Sequence, residues 1–170
     1  MKNKLKSHGI IDNIAVTAFL EIKEQEIEVN FVVEGALSEY IFPKKSQLKR
    51  LDELWKETCF ELLLASDDEV YYELNFSSSL GWNFYLLNTY RAEPVEVKLM
   101  GEVMIRHEVK DNTFSIFFKL KSENFKFKKF THYNLATILL RQEKERTFWT
   151  IKHLKSQPDF HSRESFLEII

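Results

Sequence analysis

Leu54-Trp55-Lys56-Glu57-Thr58-Cys59-Phe60-Glu61, followed by Tyr72-Glu73-Leu74-Asn75-Phe76-Ser77 and Trp82, is the stretch that decides how this chain folds. Apolar side chains alternate along both runs. Successive side chains of a strand point to opposite faces of its sheet. Phe60, Leu62, Leu64, Tyr72, Leu74 and Phe76 are therefore predicted to share one face and to be buried in a core. Cys59, Glu61, Glu73 and Asn75 share the other. A loop over 65–69 would pair Leu64 with Val70 and set Glu61 directly opposite Glu73, with Cβ atoms ~5 Å apart. Two like charges so placed are destabilising unless something compensates them, so the second face reads as a site.

Outward from this hairpin, short alternating runs rich in Val, Ile, Phe and Tyr recur at 14–22, 27–33, 58–64, 70–77, 82–87, 95–107, 113–120, 131–140 and 147–154. Polar turns separate them: Glu24-Gln25, Ser66-Asp67-Asp68, Ser78-Ser79-Leu80-Gly81 and Lys110-Asp111-Asn112. The expectation is an all-β fold, an antiparallel β-sandwich of immunoglobulin-like or jelly-roll type with about nine strands. Residues 44–53 are charged and lack alternation, so they form a loop with a helical turn that delivers Trp55 to the next strand. At the far end Gln157 is held extended by Pro158, and Ser162 is placed to cap a short C-terminal helical turn through Phe166 and Leu167.

A chain of 170 residues buries a sizeable core as one domain, taken here as 1–170. Fifteen Phe with only four Gly and three Pro mark a packed interior, not a disordered chain. A formal charge of −2 offers no basic face for a polyanion, and Lys126-Phe127-Lys128-Lys129-Phe130 reads as a solvated strand or loop, so no nucleic-acid partner is expected. No window reaches the roughly 18 consecutive apolar residues of a membrane span. Asp12 and Asn13 interrupt any apolar region behind the basic amino terminus, which argues against a secretory signal. The single cysteine, Cys59, forbids an internal disulfide, and a cytoplasmic location is expected.

With these residues assembled, the chain resembles a bacterial family of DOMON-like domain proteins, related in fold to family 9 carbohydrate-binding modules and to haem-carrying DOMON domains. The resemblance rests on Leu54-Trp55, Thr58 to Glu61, Glu73 to Ser77 with Trp82, Tyr90-Arg91, and the C-terminal Trp149, His153 and Pro158-Asp159-Phe160-His161. It implies a β-sandwich with a pocket or face for a small ligand and leaves the ligand open, since the better-known relatives bind sugars or haem. The chain departs from the family pattern at Ser77-Ser78-Ser79, where Ser-Pro-Ser is usual, and in having neither the signal peptide nor the disulfides of secreted relatives.

Trp55, Trp82 and Trp149 are the candidates for stacking on a sugar ring, with core packing as the alternative for each. Glu61 and Glu73 could accept hydroxyls, act as an acid/base pair, or form a structural pair neutralised by an arginine, for which Arg91 is preferred. Asn75 shares their face. His153 and His161 bracket Pro158-Asp159-Phe160. An enzyme would use His161 as base with Asp159 orienting it, but neither a nucleophile elbow nor a phosphate loop accompanies them. Two His and an Asp without a known third-ligand geometry are a weak zinc signal, so no metal is expected. Met100 and Met104 are the methionines considered as haem ligands, with core filling as the stronger reading, so no cofactor is expected.

The reading is a noncatalytic module that binds a small polar ligand, saccharide-like, through Trp55, Glu61, Glu73, Asn75, Trp82, Arg91, Trp149, His153, Asp159 and His161. An enzyme using a Glu/Glu/His cluster, a haem or redox module, and a protein-interaction domain are the alternatives. His153 and His161 are expected to converge with Trp55 on one cavity above the two glutamates.

Overall fold

All nine alternating runs are strands in the computed structural model, which describes residues 1–11 and 13–170. In chain order the strands are β1 (Lys2–Ser7), β2 (Ile14–Ile22), β3 (Glu26–Gly35), β4 (Tyr40–Ile41), β5 (Lys49–Arg50), β6 (Cys59–Ala65), β7 (Tyr71–Phe76), β8 (Gly81–Leu87), β9 (Val95–Glu96), β10 (Gly101–Lys110), β11 (Thr113–Ser122), β12 (His132–Arg141), β13 (Arg146–Thr150) and β14 (Leu167–Glu168). The run at 95–107 divides into two strands, the two-residue β9 and the long β10. Of the four that the alternation did not show, β4, β5 and β14 are two-residue pairings, and β1 is lysine-rich and buries only Leu5.

The strands make one curled mixed sheet, where two separate sheets and about nine strands were expected. Its order is β10-β11-β3-β2-β1-β13-β12-β6-β7-β8-β5, antiparallel except for the β5–β8 pair, with β4, β9 and β14 joined at its margins. Strand β1 makes the sheet continuous: its first part pairs with β2 and its end, Lys6 and Ser7, with Thr150 and Trp149 of β13. The two arms then close on each other, and their inner faces meet ring to ring, Phe31 against Phe60 at 5.1 Å and Phe118 against Phe76 at 4.9 Å between centroids. Phe60, Leu62, Leu64, Leu74 and Phe76 are fully buried there, and Tyr72 is half-buried, stacked on Phe84. Each such side chain contributes on the order of 1.5–3 kcal/mol by leaving water.

The outer face of the β12-β6-β7-β8 arm is also closed. Leu63, Ala65, Tyr71, Tyr85, Leu87, Ala136 and Ile138 form a second apolar cluster with Phe160 and Phe166 of the C-terminal segment. This explains why β6 is apolar on both faces apart from Glu61. Asn134 of β12 holds the segment down by donating to the Phe160 carbonyl (3.0 Å) and Ser165 Oγ (3.3 Å). The expected terminal helix is a single 3₁₀ turn, Arg163–Ser165. Ser162 does not cap it with its side chain; instead its carbonyl accepts from Ser165 Oγ at 2.6 Å. Residues 44–53 are not helical; the turn lies just beyond, at Leu54–Lys56, and carries Trp55.

The register of the β6–β7 hairpin differs from expectation by two residues. Leu64 pairs with Tyr72 and Ala65 with Tyr71, so Glu61 faces Asn75, and Glu73 faces Leu63. A two-residue slip keeps every side chain on its face. The glutamates are therefore diagonal neighbours and not a direct pair.

Candidate functional site

A cavity of about 350 Å³ opens on this outer face, at the small end of the ~300–1,000 Å³ typical of ligand pockets. Its floor is Glu61 and Glu73, only 3% and 8% exposed. Ala136 is the neighbour of Glu61 on β12. Among the described residues no protein group hydrogen-bonds or ion-pairs with Glu61. Burial first, and the neighbouring Glu73 charge second, push its carboxyl well above the ordinary value. Burial also raises Glu73, opposed by Asn75 Nδ2, which donates to its Oε1 at 2.7 Å. Asn75 itself is fully buried beneath the floor, and its Oδ1 has no partner among the described residues.

His161 stands over Glu73. Burial, and then the Arg91 charge, lower its imidazole to about 4, so the ring is neutral at pH 7. Burial lifts the Tyr71 phenol to about 12, so it keeps its proton, and its oxygen shares a hydrogen bond of 2.8 Å with His161 Nδ1 that orients the ring. Tyr71 oxygen in turn accepts the Arg91 backbone N–H at 3.1 Å, a contact made possible by the left-handed φ of 52° at Arg91. His161 Nδ1 lies 3.9 Å from Glu73 Oε2, and since the ring is neutral this is no ion pair.

Aromatic rings flank the floor on both sides. Toward β8, Trp55 sits edge-on to Tyr85 with centroids 6.3 Å apart. Tyr85 is fixed by donating to Asp52 Oδ1 at 2.7 Å, and Asp52 also accepts from Asn83. Toward β13 stand Phe148 and Phe160, 6.1 Å apart. Arg91 and Arg146 lie at the rim. A shallower depression shares Arg91, Phe148 and Pro158 with the cavity and continues over Tyr90 and Lys155.

Of the residues predicted from sequence, Trp55, Glu61, Glu73, Arg91 and His161 line this cavity, with Asn75 beneath it. Arg91 does not compensate the glutamates, because its Nη2 is 3.3 Å from Asp159 Oδ1. Asp159 lies beside the cavity and ties its cover together, accepting from Lys155 (2.6 Å), Tyr90 (2.7 Å) and the His161 backbone N–H (3.1 Å). Burial alone would raise Asp159, but these partners and Arg91 outweigh it and hold the carboxyl at about 2. It positions the His161 backbone; the imidazole is oriented by Tyr71.

Trp82, Trp149 and His153 lie elsewhere. Trp82 points into the core between the arms, 6.1 Å from Phe118, with the Arg50 guanidinium 4.4 Å from its ring centroid. Trp149 is a core residue whose Nε1 donates to Thr147 Oγ1 at 3.0 Å. His153 bonds the Lys6 carbonyl through Nε2 (2.9 Å) and packs edge-on to His8, so the two histidines do not converge. Seven residues of irregular chain separate His153 from His161, enough to carry them apart. Cys59 is buried on the β6 outer face, where burial raises its thiol. Met100 and Met104 are neither core filling nor near the cavity; they lie 62% and 38% exposed along β10.

Tyr71, Phe148, Phe160 and Arg146 were not among the predicted site residues. The alternation contained the signal for two of them: Tyr71 shares parity with Glu73, and Phe148 has the parity opposite to the core residue Trp149. Phe160 and Arg146 carried no local signal.

Neither a family model nor a curated protein matches the chain. Among solved structures, a candidate carbohydrate-binding protein from Bacteroides uniformis aligns over 98% of this chain and 84% of its own, at 11% identity and a TM-score of 0.65. The two share a fold. A family 9 carbohydrate-binding module from Caldicellulosiruptor kristjanssonii, solved with glucose, aligns over 84% of this chain and 69% of its own at 8% identity. Its TM-score of 0.42 is too low to compare the two sites.

Proposed function

We propose that the protein is a noncatalytic saccharide-binding module of the DOMON-like type and that the cavity above Glu61 and Glu73 is its binding site. The observation that carries the reading is the composition of the cavity: Trp55 on one side and Phe148 and Phe160 on the other enclose two buried carboxyl groups. A pyranose has apolar C–H faces and a polar hydroxyl edge, so rings beside it and acceptors beneath it match both. The fold shared with a candidate carbohydrate-binding protein is consistent with this.

Calorimetric titration with a panel of mono- and disaccharides tests the proposal. Saturable binding by at least one sugar is expected, and Trp55→Ala is expected to remove it. The variant's melting temperature should fall only slightly, because Trp55 is half-exposed and its main ring partner is Tyr85. Absence of binding across the panel, or full binding by the Trp55→Ala protein, would overturn the proposal. One arrangement favours a second reading, acid–base catalysis: Glu61, with its raised pKa, stands near Glu73 and His161. Hydrolysis of any disaccharide in the same titrations would establish it.

A further inference from the structure

Two buried carboxyl groups ordinarily share a site with a cation. Here none is supplied. Among the described residues no Lys or Arg nitrogen comes within ion-pair distance of Glu61 or Glu73, and the one nearby ring nitrogen belongs to a neutral imidazole. Arg91 is engaged with Asp159 and half-exposed. Arg146 is exposed at the mouth of the cavity and forms no ion pair among the described residues. Beneath the acids, the fully buried Asn75 has spent both its possible roles unevenly: its N–H donates to Glu73, while its Oδ1 is left without a donor. The floor thus presents two carboxyl groups, with no protein donor to Glu61 and no cation within ion-pair distance of either among the described residues. Around it stand Trp55, Phe148 and Phe160, whose ring faces attract cations.

We infer that the floor of the cavity is an ammonium subsite and that the saccharide bound is an amino sugar with a free, protonated amine directed at Glu61 and Glu73. The inference rests on the saccharide reading above and narrows it. A protonated primary amine carries three donors and one positive charge, which meets both deficits of the floor at once. A neutral hydroxyl brings one donor and no charge, and an N-acetyl group brings one donor and a bulky carbonyl. The groups that face the two acids from the surrounding elements are Cys59, Tyr71, Tyr85, His161, Arg91 and Arg146. The first four are neutral at pH 7, and the two arginines lie at the rim. A bound ammonium therefore draws its counter-charge from Glu61 or Glu73, and it favours the ionised form of the pair.

The test is calorimetric titration of the protein with glucosamine and galactosamine, with glucose, galactose and their N-acetylated forms as neutral controls. At least one amino sugar should bind about 10- to 100-fold more tightly than its neutral counterparts at pH 7, the range expected for hydrogen bonds to a charged group. Its binding should weaken as the pH is lowered from 7 toward the ordinary carboxyl value of 4.5, because protons on the raised pair compete with the ammonium. Glu61→Gln should reduce the preference to within about threefold, and Glu73→Gln serves if that variant does not fold. The pH series uses the unaltered protein and needs neither variant. Binding of neutral sugars as tight as that of the amino sugars, or amino-sugar binding that does not weaken on acidification, would overturn the ammonium subsite and leave the saccharide reading standing. If no sugar of either kind binds, both fall.

Discussion

Glu61→Gln should make this protein more stable at neutral and alkaline pH. Glu61 is 3% exposed and has no partner among the described residues, so folding leaves its carboxyl only the water that the cavity admits and supplies no protein donor. An unsatisfied buried polar group costs on the order of 1–3 kcal/mol. For a chain of this length 1 kcal/mol moves the melting temperature by ~2–4 °C. The amide has nearly the same shape, carries no charge, and offers an N–H beside the unpartnered Oδ1 of Asn75, directly across the ladder. The melting temperature at pH 8 should therefore rise by roughly 2–12 °C. The sign follows from linkage: the folded protein holds the Glu61 proton more tightly than the unfolded chain. The stability tied to that proton is complete below the ordinary value of 4.5 and is lost as pH rises through the folded value. The gain from Glu61→Gln should accordingly be near zero at pH 4 and grow with pH, as read by thermal melts of both proteins at half-unit intervals. A pH-independent difference, or a variant less stable at every pH, would show that Glu61 is compensated in solution and would remove the basis for the acceptor-rich floor.

Further outcomes follow from the same geometry. Phe60→Ala should cost about 3–5 kcal/mol in chemical denaturation, since this fully buried ring meets Phe31, Phe76 and Phe114 at the junction of the two arms. His161 responds to pH in the sense opposite to Glu61. Its folded value of about 4 lies below the ordinary 6.5, so its contribution is present above pH 6.5 and is lost as pH falls toward 4. A His161→Gln protein should thus lose less melting temperature between pH 7 and 4 than the unaltered one. Asp159→Asn should loosen the cover of the cavity at pH 7, seen as faster amide hydrogen exchange across 155–162. Because the Asp159 carboxyl is held at about 2, acid alone should reproduce the effect only as pH falls below its ordinary 3.8 toward 2.

The sequence by itself determined the strands and their faces. Side-chain direction in a strand is a local property with period two, so Phe60, Leu62 and Leu64 could be assigned to the core and Glu61, Glu73 and Asn75 to the opposite face from the order of residues alone. Register was beyond its reach. Pairing Leu64 with Val70 or with Tyr72 leaves every side chain on the same face, and the choice is made by turn geometry and by what packs over the ladder. The same limit applies to β1, whose lysines hide a strand that only its two neighbours define. It applies equally to the site. Trp55, Trp82 and Trp149 are chemically identical, yet the curl of the sheet turns two of them inward and leaves one at a cavity mouth. His153 and His161 are alike in sequence, but only His161 is carried over the floor, by a segment anchored through Asn134 some 27 residues earlier in the chain. Phe148 and Arg146 reach the cavity because β13 lies two strands from β6 in the sheet order, while 85 residues separate Glu61 from Arg146 in sequence. Which side chains share a cavity depends on such long-range pairings, whose energies come from contacts that the chain makes only once it is folded.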